Sequence, residues 1–297
     1  MIIHLFYKKL EPDFYKEQLQ SKEDMLVRTT RFLLDTQLEL KEKNKELYTA
    51  NQDIFNSIKF AELIQTSLLP DVTILKIFIK DASYKAMQQI GIGGDTVFIK
   101  NINGGIFFGL LDATGHGIPA AMLSIGGVLM LNELTGSMEV DSPKVLLKLL
   151  NYRLNSTFNA NKSLAHMEGI MCFFSSKLRT LTYSSANGKG LLLSAAGEII
   201  ELFSTKKPIG ENVAAEFENF EINFNRGDKL FLYSDGLTDQ FGGDRDKKFS
   251  RLKLKRILAD NYKKNVHEIN KIIETEHEAW KKTTQQTDDI SFMIIEF

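Results

Sequence analysis

Only one cysteine, Cys172, occurs in 297 residues, so no internal disulfide can form. Its neighbours Met171, Phe173 and Phe174 are apolar, and the thiol reads as a buried core group rather than a reactive one. An excess of charge of either sign is also missing. Lys and Arg number 37 against 38 Asp and Glu, and a net charge of −1 supplies no global field for nucleic acid or anionic lipid. No apolar run approaches the roughly 18 residues needed to cross a bilayer. The opening Met-Ile-Ile-His-Leu-Phe-Tyr is too short for a span and has neither a basic leader nor a cleavage site. These absences predict a cytoplasmic chain with no membrane span and no nucleic-acid partner.

Glycine is absent from Glu11 to Leu69, and proline occurs there only at Pro12. Glu, Lys, Gln and Leu dominate that stretch, and all are good helix formers. Apolar residues recur every seventh position at Leu19, Leu26, Leu33, Leu40, Leu47, Ile54, Ala61 and Leu68. This heptad predicts a long helix over residues 1–69 with a coiled-coil seam. If those are d positions, the a positions are Thr30, Gln37, Asn44, Asn51 and Ile58. Buried Asn at a favours parallel two-stranded pairing, so a homodimer is expected, with a lone amphipathic helix as the alternative. Pro70 ends the helix.

Residues 70–297 read as a separate domain of short apolar or alternating runs divided by Gly and Asn. Strands are predicted at Thr73–Lys80, Thr96–Lys100, Ile106–Leu111, Glu168–Ser175, Thr180–Ser185, Gly190–Ser194, Ile199–Phe203, Glu216–Phe224, Lys229–Tyr233 and Ile290–Glu296. Helices are predicted at Ile118–Leu134, Pro143–Phe158, Leu252–Asn261 and Val266–Lys282. Grouped strands without regular βαβ alternation point to an α+β sandwich rather than a doubly wound sheet.

Four segments each set an aspartate beside a predicted strand: Gly93-Gly-Asp95, Leu110-Leu-Asp112-Ala-Thr-Gly-His116-Gly, Tyr233-Ser-Asp235-Gly and Thr287-Asp288-Asp289-Ile290. Any one alone is more often a turn or a helix cap than a ligand. Four together reverse that preference, because gathered carboxylates repel unless cations lie between them. Oxygen ligands suit magnesium or manganese rather than zinc, and two such ions can activate a water for in-line attack at phosphorus. A G-x-x-x-x-G-K-[ST] loop is absent, which excludes a nucleotide triphosphatase of that type, and no thiolate–His pair supports a phosphocysteine route.

These motifs, with Pro208-Ile-Gly210 and Gly227-Asp228, resemble the bacterial stage-II-sporulation-E/RsbU-like branch of the metal-dependent Ser/Thr phosphatases. The resemblance runs from about Glu62 to Phe297 in family order. It implies a protein phosphatase 2C-like α-β-β-α sandwich with metals at one edge of the two sheets. By position, Asp95, Asp112, Asp235, Asp288 and the carbonyl of Ala113 would hold two Mn2+ or Mg2+ ions. A water activated by the dinuclear centre would then be the nucleophile. His116 would protonate the leaving oxygen, or else hydrogen-bond in the turn that starts the helix. The implied substrate is phosphoserine or phosphothreonine on a switch protein of the STAS-type anti-sigma-antagonist kind, with a sensor protein acting through the N-terminal helix.

The chain departs from the family twice. Phe98 stands where relatives have a second acid, and Ser185-Ala-Asn-Gly188 replaces N-A-G-H, so that histidine is missing. Two rivals follow. One is a weakly active or inactive scaffold that binds a signalling partner. The other is a diguanylate cyclase, suggested by Gly93-Gly-Asp95, but Thr96 stands where that reading needs an acid.

Overall fold

The structure, a computed structural model, describes residues 2–137, 140–158 and 165–297, with side chains described from residue 14 onward. A first helix, α1, spans Ile2–Leu68. The chain divides into two compact units, Met1–Ser57 and Ile58–Phe297. In the first unit the heptad residues Leu19, Leu26, Leu33, Leu40, Leu47 and Ile54 are all exposed.

The second unit begins with the last turns of α1 and a 3₁₀ helix, Val72–Ile77. That segment corrects the strand expected at Thr73–Lys80. Asp71 caps the turn by accepting from the Thr73 amide at 2.9 Å, and only Leu75 within it is buried. The first strand, β1 (Asp81–Met87), lies just beyond. There follow β2 (Asp95–Ile102), β3 (Gly105–Ala113), α2 (Ile118–Ser137), α3 (Pro143–Phe158) and β4 (Met167–Ser175). Next come β5 (Thr180–Ala186), β6 (Lys189–Leu193), β7 (Ile199–Glu201), β8 (Phe220–Ile222) and β9 (Lys229–Tyr233). A short helix, α4 (Gly236–Asp239), leads to the hairpin β10 (Phe241–Gly242) and β11 (Lys247–Lys248). Then α5 (Arg251–Asp260), α6 (Val266–Lys281) and β12 (Ile290–Glu296) close the chain.

Two antiparallel five-stranded sheets result, ordered β1-β12-β9-β6-β7 and β2-β3-β4-β5-β8. Both are covered on both faces, which explains the nearly continuous apolar strands. Along β9, Leu230 and Leu232 join the core between the sheets, while Phe231 and Tyr233 pack with Leu254 of α5 and Ile269 of α6. The second sheet alternates likewise. Phe108 and Leu110 face the central core, whereas Phe107 and Leu111 pack with Leu131 of α2 and Leu147 of α3. The architecture is therefore an α-β-β-α sandwich.

Cys172 is fully buried in the central core, and burial pushes its thiol far above the usual range. Phe98 is core as well, packed toward α2 and α3. One expectation needs amending. By length and composition α2 could cross a bilayer, with a mean hydropathy of 1.4 over its most apolar window. Its apolar residues Leu123, Leu131 and Leu134 instead join the core between sheet and helices.

Candidate metal centre

All four aspartates lie at one rim of the sandwich. Asp95 opens β2 and sits directly opposite Asp112, near the end of β3. Asp235 follows β9, and Asp288 precedes β12, which is hydrogen-bonded to β9. Strand pairing within each sheet, and packing of one sheet on the other, bring positions 95, 112, 235 and 288 together. Glu168, opposite Asp112 on β4, adds a fifth carboxylate that sequence reasoning had not singled out.

The glycines beside Asp95 are required by close packing. A Cβ on Gly93 would collide with Gln88 and Asp289, and one on Gly94 would meet the Ala113 carbonyl. The Gly94 carbonyl in turn accepts from the Ala113 amide at 3.2 Å. The loop is fixed from outside too. Gln65, on the last turns of α1, donates to the Gly93 carbonyl at 2.7 Å and accepts from its amide at 3.2 Å. The same side-chain nitrogen donates to Ser124 Oγ at 3.0 Å.

Each aspartate has a distinct environment. Asp95 is 2% exposed, accepts from Ser234 Oγ through Oδ2 at 2.6 Å, and leaves Oδ1 buried without a partner. Burial raises its carboxyl to about 8, opposed by the hydroxyls of Ser234 and Ser291 and reinforced by the charges of Asp289 and Asp288. Burial, then the fields of Asp95, Asp235, Asp288 and Glu168, hold Asp112 well above the normal carboxylate range. Asp288 is raised by burial and by Asp235 and Asp289. Asp235 occupies the N-cap of α4 but makes no capping bond, so its oxygens are not spent on the helix. Asp289 is different: its two oxygens accept from the Gln89 amide at 2.8 Å and the Gly94 amide at 2.7 Å. It braces the loop, and the neighbouring Asp288 is the partly buried partner of the cluster.

His116 is exposed between Gly115 and Gly117, both at positive φ, and lies near Asp288. Lys189 also reaches the rim, with Nζ 3.2 Å from Asp235 Oδ2.

Among the described residues, no three His, Cys, Asp or Glu side chains close into a ready cation cage. The donor set still fits a hard divalent ion. It consists of oxygens only, one of them a buried orphan on Asp95, and burial together with mutual repulsion raises Asp95 and Asp112.

The family described as Stage II sporulation protein E (SpoIIE) matches residues 103–297, about two thirds of the sequence. The chain belongs to this family. Asp112, His116, Asp235 and Asp288 fall inside the matched region, and Asp95 lies just ahead of it. Over 190 residues the chain is 23% identical to phosphoserine phosphatase RsbP of Bacillus subtilis (strain 168), covering 63% of this chain and 44% of RsbP. It thus spans less than half of that curated relative. Among solved structures it is similar to the SiaA-PP2C domain of Pseudomonas aeruginosa, with a TM-score of 0.77 at 22% identity, covering 84% of this chain and 98% of that domain. It is also similar to RsbX in complex with magnesium, with a TM-score of 0.51 at 17% identity, covering 72% and 94%. The fold of this SpoIIE-family member is protein phosphatase 2C-like.

Proposed function

We propose that this SpoIIE-family chain is a metal-dependent protein serine/threonine phosphatase acting on a phosphorylated regulatory protein. The observation that carries this reading is the convergence of Asp95, Asp112, Asp235 and Asp288 at one rim, with a buried Asp95 oxygen left unpartnered. Family membership supports it, as do the name of RsbP and the magnesium complex of RsbX.

In this reading the four aspartates and the Ala113 carbonyl hold two manganese or magnesium ions. Those ions, when bound, supply Lewis acidity for hydrolytic attack at phosphorus and charge to stabilise it. The chain's own residues prepare the site. Ser234 orients Asp95, and Asp289 and Gln65 fix the Gly93–Gly94 loop. His116 is exposed beside the cluster, where it can donate a proton to a leaving serine oxygen.

The substrate expected is a STAS-type switch protein. Input is expected through α1, whose exposed leucine seam suits a second copy of the chain or a sensor protein.

A second reading, an inactive scaffold, is favoured by one feature: no ready three-ligand cage is present among the described residues. One assay separates the two. Manganese is titrated into the protein with a phosphoserine protein substrate, and Asp112→Asn serves as control. A phosphatase predicts metal-dependent release of phosphate, with a loss of at least roughly a hundredfold in the variant. Turnover absent from both supports the scaffold, and equal turnover in both overturns the role given to Asp112.

A further inference from the structure

Lys189 belongs to the rim by construction rather than by accident of a flexible side chain. It opens β6 directly after a tight turn in which Asn187 has a positive φ of 57°. Gly188 in that turn is locked against β4, because a Cβ there would strike the backbone of Gly169 and Ile170. On the other side, Lys189 pairs in register with Tyr233 of β9, two residues before Asp235. Its side chain is only 18% exposed and runs into a cleft shared with Asp112, Glu168, Ser234 and Asp235. No other Lys or Arg lines that cleft among the described residues.

The charge count gives this placement a purpose. Fully ionised around bound metal, the four aspartates and Glu168 would carry five negative charges, against four positive charges on two divalent cations. A phosphate dianion entering such a site meets no surplus of positive charge unless a side chain supplies it. A lysine ammonium is a compact point charge suited to phosphate, on a stem long enough to move between two anions.

We propose that Lys189 is a tethered counter-ion of this centre. It holds Asp235 in the metal-free protein, yields that carboxylate to a divalent cation, and then contacts the phosphoryl oxygens of the substrate. The proposal rests on the metal-site reading above.

The test is calorimetry on the full chain, read without turnover. Manganese is titrated into wild type, Lys189→Met and Lys189→Arg, and inorganic phosphate is then titrated into each manganese-loaded protein. With its competitor removed, Lys189→Met should bind manganese roughly five- to tenfold more tightly. It should bind phosphate roughly tenfold more weakly, and Lys189→Arg should keep both values near wild type. Unchanged manganese affinity in Lys189→Met overturns the competition with the cation. Unchanged phosphate affinity overturns the substrate contact. Weaker manganese binding in both variants marks Lys189 as merely structural and overturns the whole proposal. Wild-type protein that takes up no manganese refutes instead the metal centre on which it rests.

Discussion

Two adjacent aspartates, Asp288 and Asp289, do different work, and the difference lies in where their oxygens go. Asp289 gives one oxygen to each of two backbone amides, those of Gln89 and Gly94. An asparagine there has a single acceptor oxygen for two donors. Asp289→Asn should therefore lower unfolding stability by about 1–3 kcal/mol, measured by urea denaturation, and loosen the loop carrying Asp95. Asp288→Asn should spare stability, because it removes a charge from a mutually repelling group, while weakening metal binding. At this scale the sequence was informative but incomplete. The four aspartates were legible because each lies beside a strand, and Asp95 and Asp235 also abut a glycine. Gln65, Ser234 and Lys189 were not, because nothing in local sequence says that positions 65 and 93, 234 and 95, or 189 and 235 are neighbours.

Elements carry the next layer of control. On α6, His277 is 1% exposed beside Phe249, and neither ring nitrogen has a hydrogen-bond partner. Burial lowers its pKa from 6.5 to about 4, so the fold prefers the neutral ring. The unfolded chain then binds more protons between those values, and stability falls as pH drops from 6.5 toward 4. The full loss is about 3 kcal/mol for this group. Comparing urea midpoints of wild type and His277→Leu at pH 7.5 and 5 should show a smaller pH dependence in the variant. Along α1, Leu40→Asp and Leu47→Asp together set charges into the heptad seam. They should cost a paired helix more than about 2 kcal/mol, giving a monomer by light scattering and altered turnover. A monomer in the unsubstituted protein would sink the pairing.

Element boundaries divide by how strongly the chain commits locally. The bounds of α3, β9 and β12 match expectation, since each is a long apolar or periodic run with a clear start. The stretch expected as strand Thr73–Lys80 is a 3₁₀ turn instead, because Asp71 caps it and little of it is buried. The true edge strand, Asp81–Met87, was missed; its mixed sequence becomes a strand through pairing with β12.

For the molecule as a whole, folding and metal binding should be linked, since the proposed ligands come from four segments far apart in sequence that meet only in the native sandwich. A cation at a hundred times its Kd adds about 2.7 kcal/mol to the folded state. Melting temperature should accordingly rise by about 5–10 °C with manganese and fall back on adding EDTA. Scanning calorimetry checks this, and Asp112→Asn should largely abolish the shift.

The sequence by itself determined the long heptad helix, the α+β class, the order of most elements and the identity of the four aspartates. Each of these is written in local period, composition or motif, and needs no knowledge of distant neighbours. Tertiary structure alone decided the rest. It set Asp95 opposite Asp112 in register, assigned Asp289 to the backbone and Asp288 to the cluster, and brought Lys189 onto Asp235. Those are contacts across as many as 200 positions of sequence, fixed by strand pairing and by burial that no single segment specifies.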